Sequence, residues 1–111
     1  MTHTPPLGEL EQLVLLTILQ LGADAYGLTI AQELERQAGR RLSRGALYTT
    51  LDRMEIKGLV RWKPEPGGSQ RRGLPRRNYI VSVRGVAALR ASQRVLHRLW
   101  SGLEDVFKES S

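Results

Sequence analysis

A helix running from Ser43 to Gly58 would present Gly45, Thr49, Asp52 and Arg53 on one side, with Tyr48 on its flank. Small and polar residues near a helix N-terminus suit a major groove, where the hydrogen-bonding edges of bases are read. A second set, Arg71, Arg72, Arg76 and Arg77, lies on or beside a glycine- and proline-bearing stretch, where guanidinium groups suit phosphate oxygens. Bond-breaking chemistry is poorly provided for. Cysteine is absent, and neither His3 nor His97 has a second histidine or an acid at ligand spacing. Glu104 and Asp105 point to different sides of a helix. No catalytic residue, metal site or cofactor is therefore expected, and the chain is not expected to be an enzyme.

The charge distribution points the same way. The 111-residue chain carries a formal charge of +6. Of its 17 Lys and Arg residues, 16 lie between Arg36 and Arg98, a segment with only three acids, Asp52, Glu55 and Glu65. Such asymmetry predicts a surface that meets a polyanion, most simply nucleic acid. The length fits one domain, and hydrophobic content of 41% with charged content of 25% is that of a soluble globular protein. No signal-peptide pattern opens the sequence, and no apolar run approaches the roughly 20 residues that span a bilayer, so a cytoplasmic location away from membranes is expected.

The elements that must position these residues follow from periodicity. Around Leu47, Leu51 and Met54 fall within about 40° at 100° per residue, giving the reading helix a buried stripe. Ser43 is placed to cap its first turn and Gly58 to end its last. A first helix, about Gly8 to Leu21, has one stripe of Leu10, Leu13, Val14, Thr17 and Leu21. Leu15, Leu16 and Leu19 extend apolar character around the cylinder, to be covered by its own domain or by a second subunit. A second helix spans about Tyr26 to Gln37, and its short connection to the third makes a helix-turn-helix pattern. Strand patterns at Leu59–Lys63 and Asn78–Val81, with turn chemistry from Pro64 to Gly68, predict a β-hairpin wing. From Val83 to Lys108 a seven-residue apolar repeat predicts one long helix with a pairing seam, in which Leu89, Leu96, Leu99, Trp100, Leu103, Val106 and Phe107, joined by Leu10, would form a dimer interface. The expected fold is mainly α with a small β-hairpin: a flexible arm over 1–6, a winged helix-turn-helix domain over 7–82 and a C-terminal dimerisation helix over 83–111.

Gly45-Ala46-Leu47-Tyr48, then Leu51, Met54-Glu55 and Lys57-Gly58-Leu59-Val60, resembles the pattern of the PadR-like transcriptional regulators. Gly73, Pro75-Arg76-Arg77, Tyr79, Ser82 and Gly85 are similar to that family's run after the wing, and Tyr26-Gly27 to its usual second-helix start. Asn78 departs from it, standing where an aromatic is common, as do Val81 for Leu and Ser82 for Thr. The resemblance implies a dimeric regulator, usually a repressor of its own or neighbouring genes, on a pseudo-palindromic operator in double-stranded DNA. It implies that Ser43, Gly45, Tyr48 and Thr49 approach DNA. Tyr48 would donate to a phosphate, Gly45 permit close approach, Thr49 meet a thymine methyl or base edge, and Arg44 meet phosphate or guanine. Arg53 joins them unless Asp52 or Glu55 pairs with it. Some members bind flat aromatic ligands near the dimer interface. Trp100 with Phe107 is then either a stacking site for a small aromatic effector or plain interface core. A winged-helix module that binds protein instead of an operator is the competing reading, and RNA binding is a weaker one.

Overall fold

The computed structural model describes residues 6–65 and 76–108. Helix α1 (Glu9–Leu21) starts where Glu11 Oε1 accepts the Gly8 N–H at 2.9 Å, and stops at Gly22, whose φ of +59° no β-carbon-bearing residue adopts easily. Val14, Leu15 and Ile18 form its buried side, while Leu16 and Leu19 are each 48% exposed. The two apolar sides expected from the sequence are present, but Leu15 belongs to the core. A 3-10 turn (Gly22–Asp24) leads to α2 (Gly27–Ala38), which buries Ile30 and Leu34 and ends at Gly39 in the left-handed region. Helix α3 (Arg44–Ile56) is capped as expected, Ser43 Oγ accepting the Ala46 N–H at 3.0 Å. Its stripe of Leu47, Leu51 and Met54 is fully buried. Each such side chain contributes about 1.5–3 kcal/mol by leaving water, which pins the rotation of α3 about its axis.

Gly58, at φ +78°, turns the chain into strand β1 (Val60–Glu65), antiparallel to β2 (Arg76–Val81) in a register running from Val60 opposite Val81 to Glu65 opposite Arg76. The hairpin stem is longer than the sequence predicts. Pro64, assigned to the turn, lies within β1 opposite Arg77. An edge strand tolerates a proline whose missing N–H would not face the partner strand. On its far side β2 is tied to the connector between α1 and α2, the Tyr79 N–H donating to the Ala25 carbonyl at 2.8 Å. Asn78 explains its departure from the family pattern: it is buried, and its amide donates to the carbonyl of Ala23 at 2.9 Å. An aromatic ring there would leave that carbonyl without this partner.

Helix α4 (Val83–Trp100) is started by Ser82, whose hydroxyl donates to the Gly58 carbonyl at 2.6 Å and accepts the Gly85 N–H at 3.0 Å. Here the structure corrects the single helix expected to reach Lys108. The chain leaves helical geometry at Ser101, passes Gly102 at φ +85° and resumes as a short α5 (Glu104–Lys108). Residues seven apart on one helix are displaced about 10.5 Å along its axis. The turn instead sets the Trp100 and Phe107 rings 4.7 Å apart, centroid to centroid. The heptad seam is thus interrupted after Trp100. Leu10 and Leu89, assigned to a dimer interface, pack partly buried against the chain's own core, whereas Leu96, Leu99, Trp100, Leu103, Val106 and Phe107 are exposed.

Candidate nucleic-acid interface

Helix α3 turns Ser43, Arg44, Gly45, Thr49 and Arg53 outward, and all five are exposed. A β-carbon on Gly45 would meet no atom within 4 Å, so the glycine is not required by packing. Tyr48 is different. Its ring packs against the core, and its hydroxyl reaches the start of α2, where a β-carbon on Gly27 would stand 2.2 Å from it. The Tyr26-Gly27 and Gly45–Tyr48 motifs are therefore one contact: glycine opens the space that the tyrosine fills. Arg53 pairs with neither of its acidic neighbours, since Asp52 faces Arg77 at 3.5 Å and Glu55 Oε1 accepts the Trp62 Nε1 hydrogen at 3.2 Å.

The expected phosphate contacts on the wing divide. Arg71 and Arg72 lie outside the described residues. Arg76 and Arg77 lie on β2 and are already engaged. The Arg76 guanidinium sits 4.0 Å from the centroid of the Tyr26 ring, and the Tyr26 hydroxyl donates to Glu65. That bond to a carboxylate, with some help from burial, holds the Tyr26 phenol above its ordinary pKa. Arg77 sits 4.3 Å from the Trp62 ring centroid. Beneath it the Tyr79 hydroxyl is buried without an aligned hydrogen-bond partner. Burial raises its pKa, while the cationic Arg77 draws it back in part. The sequence alone gives no role to Trp62 or Glu65, and offers Glu55 only as a partner for Arg53, where the structure pairs it with Trp62. The signal available was that three acids stand alone in a basic segment.

Against known proteins, the model of the transcriptional regulator PadR-like family matches residues 15–91. This chain belongs to the PadR-like family. Among its relatives, transcriptional regulator Rv3488 of Mycobacterium tuberculosis is 40% identical over 91 residues, covering 78% of each chain. Among solved structures, a PadR family regulator from Eggerthella lenta superposes with a TM-score of 0.64 at 29% identity, covering 89% of this chain and 86% of that one. A PadR-like regulator from Bacillus cereus gives a TM-score of 0.70 at 20% identity, over 88% and 90%, which speaks to the fold alone. The PadR-like chain is thus a winged-helix transcriptional regulator and not an enzyme, and regulators of this family bind DNA. Among the described residues no helix is long and apolar enough to cross a membrane.

Proposed function

We propose that two copies of this PadR-like chain form a cytoplasmic dimer that binds a pseudo-palindromic operator and represses its own or neighbouring genes. The observation that carries the reading is the two-sidedness of α3: Leu47, Leu51 and Met54 are locked in the core while Ser43, Arg44, Gly45, Thr49 and Arg53 face outward. A fixed helix rotation is what readout of base edges requires. In this reading Arg44 and Arg53 meet phosphate or guanine, Thr49 a base edge, and Gly45 the closest approach. A phosphate taken by the Tyr48 hydroxyl would also lie beside the positive end of α2, where first-turn N–H groups lack helical partners. Arg71 and Arg72 meet the backbone from the wing.

Pairing of two copies is supported by an apolar groove of about 510 Å³ between α1 and α4, lined by Leu16, Leu19, Leu89, Leu96 and Trp100 among others. The same groove supports a small aromatic effector stacking on Trp100 with Phe107 close by. The test is footprinting and gel shift on DNA upstream of the chain's own gene, using wild type, Thr49→Ala and Tyr48→Phe. Tyr48→Phe keeps the ring in the core and removes only the hydroxyl. Specific protection by the wild type, weakened in both variants and falling steeply with salt, is expected. Absence of salt-dependent binding would favour the protein-binding module.

A further inference from the structure

We propose that Tyr26 and Trp62 are positioning residues for DNA binding, each seating one wing arginine on its ring beside a carboxylate, so that the hairpin stem is fixed to α2 and α3 before DNA arrives. This rests on the DNA-binding reading above and gives Arg76 and Arg77 a part different from the phosphate contact the sequence suggests.

Consecutive residues of a strand point to opposite faces. Arg76 and Arg77 therefore grip different neighbours. On one face Arg76 stacks on Tyr26 at 4.0 Å, beside its strand partner Glu65, which in turn accepts the Tyr26 hydroxyl. Tyr26 immediately precedes α2, so this clasp joins both strands to the start of that helix. On the other face Arg77 stacks on Trp62 at 4.3 Å and meets Asp52 at 3.5 Å, while the Trp62 indole donates to Glu55 at 3.2 Å. Asp52 and Glu55 belong to α3, so the second clasp joins both strands to the reading helix.

The charge pattern gives the clasps their significance. Asp52, Glu55 and Glu65 are the only acids between Arg36 and Arg98, and each one sits in a clasp. An unpaired carboxylate on a DNA-facing surface repels phosphate. Here Asp52 and Glu65 stand beside Arg77 and Arg76, and Glu55 and Glu65 also accept hydrogen bonds from the aromatic partners. Guanidinium suits the task because it is planar, stacks on aromatic faces and keeps donors free at its edge, which an ammonium group does not match. A stem ordered in advance loses less freedom on binding than one ordered by DNA.

The test has one arm without DNA. The two indole N–H signals are recorded by NMR and assigned with Trp62→Phe. Arg77→Ala and Glu55→Gln should each shift the Trp62 signal and leave that of Trp100 in place. In the second arm, DNA affinity is measured against salt for wild type, Arg76→Ala, Arg77→Ala, Arg77→Lys, Tyr26→Phe and Trp62→Ala. From an exposed cation–π contact in each, with the Arg77–Asp52 ion pair in one and the Tyr26–Glu65 hydrogen bond in the other, each clasp is worth about five- to tenfold in affinity. The expected result is that loss in the alanine variants, no recovery in Arg77→Lys, a smaller loss in Tyr26→Phe, and a salt slope equal to wild type throughout. A slope reduced by about 0.9 in Arg76→Ala or Arg77→Ala would show that arginine on a phosphate and overturn its positioning part. An unmoved Trp62 signal in Arg77→Ala would show that the α3 clasp does not exist in the free protein. Wild type that fails to bind DNA at all overturns the DNA-binding reading itself, and the indole arm then still decides whether the α3 clasp is formed.

Discussion

Replacing Gly45 by alanine separates what holds α3 together from what it does. Gly45 is the second residue of the helix, outside the left-handed region, and a β-carbon there meets nothing within 4 Å. The substitution therefore costs no packing and reduces the freedom of the unfolded chain. Glycine is worse than alanine by about 0.8–1 kcal/mol in a helix interior, and in the first turn we take about 0.5 kcal/mol of stabilisation. For a chain of this size that raises the melting temperature by about 2–4 °C. The same methyl group projects from the surface assigned to the major groove. Displacing the helix by the length of one carbon–carbon bond weakens several contacts at once, and a loss of about 1.4 kcal/mol, or tenfold in affinity, is expected. The assay pairs thermal unfolding at fixed protein concentration with fluorescence anisotropy on the footprinted DNA. Higher stability with weaker binding is the expected outcome. Higher stability with unchanged binding would remove Gly45 from the DNA surface, and lower stability would show that the space around it is not open.

Two further substitutions probe the frame. A β-carbon at Gly85 would lie 2.3 Å from the Leu59 carbonyl oxygen and 2.7 Å from Val81 Cγ1. Gly85→Ala must push α4 off the hairpin and strain the Ser82 N–H bond to that same carbonyl, now 2.9 Å. Overpacking and weakened hydrogen bonding outweigh the gain in helix propensity, leaving about 2–3 kcal/mol of destabilisation and a melting point lower by roughly 10 °C; an unchanged melting point would refute the close approach. Glu11 bridges the Gly8 N–H and Lys57, the latter at 2.7 Å. Burial pushes its carboxyl pKa up, but the bonds to Lys57 and Gly8 and the charges of Lys57 and Arg53 more than reverse this, leaving it below the ordinary carboxylate value. A lowered carboxyl pKa stabilises the fold above the unfolded value, and the effect is lost as pH falls through the folded one. Glu11→Gln should cost about 0.5–1 kcal/mol at pH 7, with the gap from wild type closing as pH falls through the lowered carboxyl pKa; a gap that stays constant from neutral pH into acid would place the effect elsewhere.

Local signals in the sequence were faithful wherever one residue decides one turn. Ser43 and Ser82 cap the helices they were expected to cap, Gly58 ends the α3 segment, and Leu47, Leu51 and Met54 form the buried stripe. The break at Ser101–Gly102 was legible as a glycine stop but was overridden by a run of leucines at heptad spacing, which also dominates any periodicity reading. Of the α3 residues expected to meet DNA, Ser43, Arg44, Gly45, Thr49 and Arg53 face outward, while Tyr48 packs its ring against the core. Contacts between distant positions were not legible, because nothing in spacing alone pairs Tyr26 with Arg76 or Trp62 with Arg77. Asn78 departs from the family pattern, and its reason, the carbonyls of Ala23 and Ala25, lies more than fifty residues away in the chain.

The bonds from Asn78 and Tyr79 to the α1–α2 connector have a consequence for the order in which the chain folds. They join positions more than fifty residues apart and close a loop that contains α2, α3 and β1. The entropy of closing so long a loop is met only once contacts inside it exist. Strand β2 is therefore a product of the assembled helices rather than a nucleus for them. Whatever loosens the end of α1 will be felt first as faster amide exchange at Tyr79, at the root of the wing.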